Sequence, residues 1–465
     1  MPGSKNVIVI GAGISGLSCA YRLNQLGAEV TLFESTDRPG GVIGTIRKEG
    51  FLFESGPQSF QTTDLILSLI RELGIEADLQ KADPRAARYI LLHGKLQKIP
   101  TSPQGMLTSS LLGVGSRWKI LSEPFRKTRP PAGEESVAKF ARRKFGDEIL
   151  EYLVGPFVSG VYAGDSEKLS LKAAFPSLDE WEREYGSILR GAKKSRKAPG
   201  ATPSSLCSFR QGVTRLPSAI AEKLASRVQT GTTATFLNSL SPNGNGIFEL
   251  HTERAAESAT MQASAIVLAT PAYVSAHLIQ SISEQLSHTL SGIAYAPVAV
   301  VASGYYHQQV GKLMEGFGFL VPAREKRQTL GTVWNSSLFP GRAPEGAVTV
   351  TSFTGGATNP EIISEPEDQI AKIIQSENEH ILKIVGSPVT SSVWKYSRAL
   401  PQYNLGHGHI VETIHDAERQ LPGLFFAGNY LEGPAVGKCL ENGFQTAEAV
   451  KNYLETKTEG FLRRE

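Results

Sequence analysis

The sequence predicts a multidomain protein of the α/β and α+β classes, with a parallel-sheet domain, a second domain on a mixed sheet, and a helical insertion. Three observations predict this. The chain has 465 residues, and a chain of this length usually divides into domains that each have a hydrophobic core. It begins with an apolar strand, a glycine-rich turn and a helix, and it ends with a similar series. Between these ends lie a stretch of helix formers and several alternating apolar runs.

Composition and charge narrow the range of functions. The chain is 40% hydrophobic and 20% charged, as in ordinary soluble proteins, and its net charge of +3 is too small to argue for nucleic acid. Cys19, Cys207 and Cys439 form no CxxC pair, so they support neither a zinc site nor a disulfide framework. We find no signal-peptide pattern and no apolar run of the roughly 20 residues that span a bilayer. These features predict a cytoplasmic protein.

The first elements predict a βαβ unit. Residues 7–10 are a short continuous apolar run, as expected of a buried parallel strand. Apolar residues then recur at helical spacing up to Leu26, and Gly27 ends the helix. Residues 29–34 form the second strand.

A glycine fingerprint lies between the first strand and the first helix. Gly11 permits a tight turn, Gly13 lets the backbone approach a pyrophosphate, and Gly16 lets the helix pack against the strand. The helix N-terminus would then face the phosphates. Glu34 ends the second strand, where an acid accepts hydrogen bonds from a ribose. The segment therefore predicts a Rossmann-like dinucleotide site.

The rest of the chain contains both helical and strand patterns. Residues 101–203 are rich in helix formers and interrupted by prolines, which predicts a helical insertion with an exposed loop over 193–203. Residues 368–385 have an amphipathic helical pattern, and 423–453 show a strand, a glycine-rich turn and a helix. Alternating apolar patterns predict strands of the second domain at residues 263–269, 298–303 and 348–353.

The nucleotide motif continues in a way that distinguishes FAD from NAD. Glu34, Arg38, Gly40 and Gly41 resemble the ExxxRxGG extension of the FAD-dependent amine oxidase and desaturase superfamily. An arginine there can reach a phosphate, and paired glycines let the backbone pass close to the flavin. The resemblance implies a GR2-type, amine oxidase-like FAD-binding domain.

Two further segments match that superfamily. A glycine turn at residues 56–58 runs near the isoalloxazine in its members, and Gly428-Asn429 precedes a helix whose dipole lies near the flavin pyrimidine. Cys439 follows this turn, and we expect it to pack or to stay free. The complete predicted FAD-binding set is Gly11, Ala12, Gly13, Ile14, Ser15, Gly16, Glu34, Ser35, Arg38, Gly40, Gly41, Val42, Gly56, Pro57, Gln58, Ser59, Ala234, Gly428, Asn429, Pro434, Ala435 and Val436.

Longer strings resemble the oxygen-dependent, FAD-containing protoporphyrinogen oxidases over nearly the full chain. They include GPFVSGVYAGD at 155–165, GFGFLVP at 316–322, SLFPGRAP at 337–344 and ALPQY at 399–403. The implied division is an FAD-binding domain (1–85, 204–265 and 400–455), a substrate-binding domain (86–110 and 266–399) and a helical domain (111–203).

The resemblance also implies the substrate contacts. Arg88 matches an arginine that pairs with a substrate propionate, and a planar guanidinium suits a carboxylate. Leu320, Val333 and Phe353 fall where the family places apolar residues around the macrocycle. The second of these is commonly leucine, so Val333 departs from the pattern.

The implied reaction removes six hydrogens from protoporphyrinogen IX, with hydride passing to flavin N5 and O₂ giving H₂O₂. Little acid–base chemistry is needed, and no catalytic acid, base or metal ligand is assigned; His407 and His409 are interpreted as loop residues.

Two alternatives stay open. One is the same chemistry on coproporphyrinogen III, and the other is a non-catalytic carrier of the GDP dissociation inhibitor type.

The expected partners are the porphyrinogen and O₂, without nucleic acid. The helical domain resembles the family's membrane-associating domain, and its basic clusters at 126–129 and 193–197 suit anionic headgroups; a solvated charged loop explains them equally well. Peripheral contact with the inner face of the cell membrane, a homodimer and docking with ferrochelatase are left open.

Overall fold

The computed structural model describes residues 6–100, 105, 109, 111–126, 130–195, 204–240, 246–311 and 314–462. Its strands are β1 (Asn6–Ile10), β2 (Glu29–Phe33), β3 (Thr45–Lys48), β4 (Phe51–Glu54), β5 (Phe60–Gln61), β6 (Leu79–Lys81), β7 (Arg88–Leu92), β8 (Lys95–Lys98), β9 (Leu206–Phe209), β10 (Val228–Gln229), β11 (Thr233–Ser239), β12 (Phe248–Arg254), β13 (Glu257–Ala263), β14 (Ala265–Leu268), β15 (Tyr295–Tyr306), β16 (Gly318–Leu320), β17 (Thr329–Val333), β18 (Ala347–Gly355), β19 (Thr390–Pro401) and β20 (Leu424–Phe426).

The helices of the described part are α1 (Ile14–Gln25), α2 (Asp64–Glu72), α3 (Val114–Ser122), α4 (Val137–Lys144), α5 (Asp147–Ile149), α6 (Gly155–Tyr162), α7 (Leu171–Ala174), α8 (Pro176–Tyr185), α9 (Ile188–Ser195), α10 (Arg215–Leu224), α11 (Ala272–Leu278), α12 (Glu284–Ser291), α13 (Asn335–Leu338), α14 (Glu367–Leu382), α15 (His407–Gln420) and α16 (Val436–Leu462). A π-helical turn, Leu150–Val154, leads into α6. No helix among the described residues is long and apolar enough to cross a membrane.

Five parallel strands form the nucleotide-binding sheet, in the order β10-β2-β1-β14-β20. The central strand β1 pairs along both edges, with Val7 opposite Val30 and Ala265. It is buried because apolar clusters cover both faces of the sheet, with Val7 and Val9 in one cluster and Ile8 and Ile10 in the other. The strand order reverses at β1, which opens a crevice at the carboxyl ends of the strands. The predicted β1-α1-β2 unit is confirmed, and it ends at this crevice.

The two ends of the chain pack against each other. Helix α16 crosses α1 at Gly443, where a Cβ would lie only 2.2 Å from Ser18 Oγ. Ser18 Oγ also donates to the Leu440 carbonyl at 3.3 Å. This close crossing brings the glycine turn before α16 to the same edge of the sheet as the turn before α1.

The second large sheet has seven mixed strands, in the order β19-β15-β18-β17-β16-β7-β8. The predicted strands over 298–303 and 348–353 lie in it, inside β15 and β18. Helix α14, predicted over 368–385, covers one face of this sheet through Ile370 and Ile374. The opposite face turns toward the nucleotide-binding part and α6.

Three sequence-based expectations are wrong. The strand expected over 263–269 in the second domain is β14, which pairs with β1, so the nucleotide-binding sheet extends past the boundary set at residue 265. Lys193 and Lys194 belong to α9 rather than to a loop, and the rest of that expected loop, 196–203, lies outside the described residues, as do Lys127 and Arg129. His407 and His409 lie in the first turn of α15.

Candidate cofactor and substrate site

A cavity of about 330 Å³ opens at the carboxyl edge of the parallel sheet, within the usual range of ligand sites. Both glycine turns reach it, although they are more than 400 residues apart in sequence. Predicted residues on its wall are Gly11, Gly13, Ile14, Ser15, Glu34, Ser35, Gly40, Gly41, Val42, Pro57, Ala234, Gly428, Asn429, Pro434 and Val436.

The first turn fits a dinucleotide pyrophosphate. Gly13 caps α1 without a side-chain hydrogen bond, and the first turn of the helix has no acidic residue, so its amides and dipole favour an anion. A Cβ on Gly13 would meet no heavy atom within 4 Å, so the backbone there faces open space. Gly16 cannot carry a side chain, because its Cβ would lie 1.9 Å from the Gly11 carbonyl oxygen.

Glu34 is held in position for a ribose. Its carboxylate accepts hydrogen bonds from the Ala12 amide at 2.8 Å, and from the amide and hydroxyl of Thr36 at 2.9 and 2.8 Å. The side chain is buried yet lines the cavity. The Ser35 hydroxyl adds a longer contact to Oε1 at 3.4 Å, whereas Oε2 accepts only from Ala12 among the described residues. Because each carboxylate oxygen has about two acceptor positions, Oε2 keeps capacity for a ligand hydroxyl.

Arg38 stabilises the loop beside the cavity. Its guanidinium donates to the carbonyls of Ile43 at 2.8 Å and Gly41 at 3.0 Å, and it is not on the cavity wall. It therefore holds the loop that carries Gly40 and Gly41, and its predicted contact with a phosphate stays a prediction. Other predicted residues that lie beside the wall, not on it, are Ala12, Gly16, Gly56, Gln58, Ser59 and Ala435.

Side chains from α15 and the preceding loop hold the second turn. The Tyr403 hydroxyl donates to the Asn429 carbonyl, and His407 Nε2 donates to the Tyr430 carbonyl at 2.8 Å. Burial lowers the pKa of His407, which favours the neutral ring. From the other side, Asn442 Oδ1 accepts from the Gly428 amide at 2.9 Å. These contacts fix the backbone that carries Asn429 on the cavity wall.

Sequence reasoning missed part of the wall. The missed polar and apolar residues are Thr232, Thr233, Ala269, Thr270, Pro271, Val274, Leu278 and Cys439, with Ile10, Phe33 and Ile43. The Ala-Thr-Pro run directly after an apolar strand was an available signal, because carboxyl ends of parallel strands meet at one edge. Cys439 is buried and free, as expected, and burial raises the pKa of its thiol to about 12.

The four predicted substrate residues share one face of the seven-stranded sheet, which we call the inner face. Gly318 pairs with both Arg88 and Val333. Gly331 likewise pairs with both Leu320 and Phe353. Directly paired residues project to the same side of a sheet, so the four side chains surround two positions that have none.

Two elements pack against the inner face. At one end Leu320 contacts α6, where a Cβ on Gly160 would lie 2.4 Å from Leu320 Cδ2. At the other end Phe51 of β4 packs on Gly304. Leu320, Val333 and Phe353 are half-buried. Arg88 is exposed, with its guanidinium 5.2 Å from the centre of the Phe317 ring.

These features define the class of protein. The cavity suits a dinucleotide, and Leu320, Val333 and Phe353 give the inner face an apolar surface next to Arg88. In the described part of the chain no group of three or more His, Cys, Asp or Glu residues could hold a metal ion. The arrangement is that of a flavoprotein oxidoreductase, in which the cofactor carries out the redox step and the protein orients the substrate.

Comparisons with known proteins agree. Residues 14–451 match the family described as flavin containing amine oxidoreductase. Chloroplastic protoporphyrinogen oxidase from Nicotiana tabacum is 34% identical over 96% of this chain and 85% of its own length. Coproporphyrinogen III oxidase from Bacillus subtilis is 27% identical over 97% of this chain and 99% of its own. A solved protein from an Exiguobacterium species shares the fold, with a TM-score of 0.82, 23% identity and coverage of 97% and 99%.

The chain therefore belongs to the flavin containing amine oxidoreductase family, in the group of the protoporphyrinogen oxidases. Its cofactor is FAD, and it is an oxidoreductase rather than a non-catalytic carrier.

Proposed function

We propose that this protein oxidises protoporphyrinogen IX to protoporphyrin IX. Three two-electron steps remove six hydrogens, and three O₂ molecules are reduced to three H₂O₂. Bound FAD would supply the two-electron acceptor in each step. The observation that carries the proposal is the inner face, where Leu320, Val333 and Phe353 share one side of the sheet with Arg88, together with the cavity that both chain ends form.

The residues of the inner face would bind and orient the substrate. Leu320, Val333 and Phe353 offer apolar contact to the tetrapyrrole macrocycle and keep water from it. Arg88 would pair with a propionate at the exposed edge, leaving the apolar edge of the ring system inside. No side chain needs to act as an acid or base in this arrangement.

The charge pattern favours protoporphyrinogen IX over coproporphyrinogen III. The latter has four propionates, spread around the ring. On the four strands β7, β16, β17 and β18, the inner-face positions contain one charged residue, Arg88. Lys95 on the neighbouring strand β8, opposite Leu92, is a second cation on this face, still fewer than four propionates would require. The higher identity to protoporphyrinogen oxidases, 34% against 27%, points the same way.

Anaerobic titration of the FAD-loaded protein tests the proposal. Protoporphyrinogen IX should bleach the flavin absorption near ~450 nm, and coproporphyrinogen III should do so with lower apparent affinity. If neither compound bleaches the flavin, the protein does not oxidise porphyrinogens. If the tetracarboxylate is preferred, the alternative substrate is correct.

Replacing Arg88 with alanine should raise the KM for protoporphyrinogen by about 10-fold, the loss of one partly solvated charge-assisted contact, with flavin content unchanged. Arg88→Lys should recover only part of this loss, because a lysine lacks the guanidinium fork. Steady-state kinetics measure both. Arg85→Ala is the control, since that exposed arginine pairs with Asp83 outside the strand. A KM unchanged by Arg88→Ala would exclude the propionate contact.

We also propose peripheral contact with the cytoplasmic face of a membrane through α3 and the segment after it. Val114, Trp118 and Phe125 are 80%, 69% and 80% exposed, and exposed aromatic and aliphatic side chains suit a bilayer interface. Trp118→Ser with Phe125→Ser should reduce co-flotation with anionic vesicles at least about fivefold. Val385→Ser, at a 73% exposed position elsewhere, should not. Equal flotation of all three proteins would contradict the proposal.

A further inference from the structure

We propose that Asn335 is a positioning residue, which holds the inner face in register with the turn Gly56-Pro57-Gln58 at the cofactor cavity. This inference rests on the proposed function, because the aligned substrate would be the porphyrinogen. Neither Asn335 nor its partner Thr351 was singled out by sequence, and neither lines the cavity.

A continuous chain of hydrogen bonds joins the two parts. Thr351 Oγ1 donates to Asn335 Oδ1 at 2.8 Å, and Asn335 Nδ2 donates to Gln58 Oε1 at 2.7 Å. Gln58 is itself fixed, because its Nε2 donates to the Gly56 carbonyl at 2.8 Å and the Glu54 carbonyl at 3.3 Å. With both amino hydrogens used, its Oε1 remains as the acceptor for Asn335.

The two ends of this series of hydrogen bonds lie next to the substrate wall and the cofactor wall, which must be aligned. Thr351 pairs directly with Val333 on the inner face and is two residues from Phe353. At the other end, Pro57 adjoins Gln58 and lines the cavity. A shift in either end therefore changes the position of the substrate wall relative to the cofactor wall.

The side chains that form this series of hydrogen bonds are buried. Thr351, Asn335 and Gln58 are 0%, 3% and 7% exposed, so water cannot readily replace a lost partner. A buried amide or hydroxyl without a partner is costly, and the sheet would move or tilt to satisfy it. A misplacement of about 1 Å far from the reacting atoms can slow a reaction by about 100-fold.

The test compares the rate of anaerobic flavin reduction by protoporphyrinogen in variants of the FAD-loaded protein. Thr351→Val keeps the shape of the side chain and removes the donor; we expect reduction to slow about 10-fold. Asn335→Leu breaks both bonds and should slow it about 30-fold or more. Thr351→Ser keeps the hydroxyl and should restore at least half of the wild-type rate. FAD content should be unchanged in all three.

A matched control lies on the opposite face of the same sheet. Thr332 and Ser352 share a buried hydroxyl–hydroxyl hydrogen bond of 2.9 Å that does not lead to the cofactor turn. Thr332→Val should lower the thermal midpoint as Thr351→Val does, without slowing flavin reduction. Equal slowing by Thr332→Val, or normal reduction in Asn335→Leu, would overturn the positioning role.

A second measurement needs no substrate. The visible circular dichroism of bound FAD reports the position of the surrounding backbone, and it should change in Asn335→Leu but not in Thr332→Val. If wild-type protein is not bleached by porphyrinogens, the proposed function fails, and this spectrum still decides the inference. An unaltered spectrum in Asn335→Leu would then overturn it.

Discussion

Gly16→Ala is expected to give a folded protein that is purified without FAD and is therefore colourless. The new Cβ would lie 1.9 Å from the Gly11 carbonyl oxygen and 3.0 Å from Ala269 Cβ. The first contact is with backbone, so no rotamer change relieves it, and α1 must move away from β1. Gly11 and Ala269 both line the cavity, so this movement deforms the cofactor site directly.

The expected loss is about 100-fold in FAD affinity, or about 2.7 kcal/mol, near the upper end of typical overpacking penalties. Absorbance near ~450 nm and titration of the apoprotein with FAD measure it. Gly408→Ala is the control. It introduces the same methyl group in the first turn of α15, where nothing lies within 4 Å of the added carbon. Full flavin content in Gly16→Ala would show that the helix can be displaced without affecting the site.

This part of the fold could be predicted because its causes are local. The strand, turn and helix around Gly11, Gly13 and Gly16 are set by neighbouring residues, and the predicted unit ends within a residue or two of the observed bounds. The exclusion of a side chain at Gly16 follows from the same short segment.

Where the cause is distant in sequence, prediction was incomplete. The apolar run 265–268 has the composition of a strand in either sheet, and its pairing with β1 depends on contacts about 260 residues apart. Arg38 has five donors that can serve a phosphate or a carbonyl, and only the folded loop shows that it binds the carbonyls of Ile43 and Gly41.

The residues that hold the site in place were the hardest to predict from the sequence. Tyr403 and His407 bind backbone carbonyls of the second glycine turn, and a carbonyl acceptor leaves no residue-type signature. The same holds for Asn335, whose partners are 277 and 16 residues away. Residues that touch a ligand belong to recognisable motifs, whereas residues that hold those motifs in place are revealed by geometry.

Arg342→Met is expected to destabilise the whole molecule more than any other single substitution considered. Arg342 Nη1 donates to Glu54 Oε1 at 2.9 Å, and the side chains are 2% and 1% exposed. The guanidinium also binds Ser208 and the Phe209 carbonyl, while Glu54 accepts from the Val213 amide. The pair thus joins the segment before β18 to β4 and β9. Removing one buried partner costs about 3–5 kcal/mol.

The loss of stability in Arg342→Met should depend on pH, and the Arg342–Glu54 pair determines the direction of this dependence. Burial raises the pKa of Glu54, and the charge of Arg342 opposes this rise. Without Arg342 the pKa rises further, so at low pH the folded variant binds a proton at Glu54 and avoids an unpaired charge. The destabilisation should therefore be smaller at pH 5 than at pH 8, as measured by denaturant unfolding at both values.

Glu54→Gln in the Arg342→Met background should recover part of the pH 8 loss. Arg85→Met, which breaks an exposed pair with Asp83, should cost less than about 1 kcal/mol. A pH-independent loss no larger than that control would mean that the Arg342–Glu54 pair does not stabilise the junction between the nucleotide-binding part and the seven-stranded sheet.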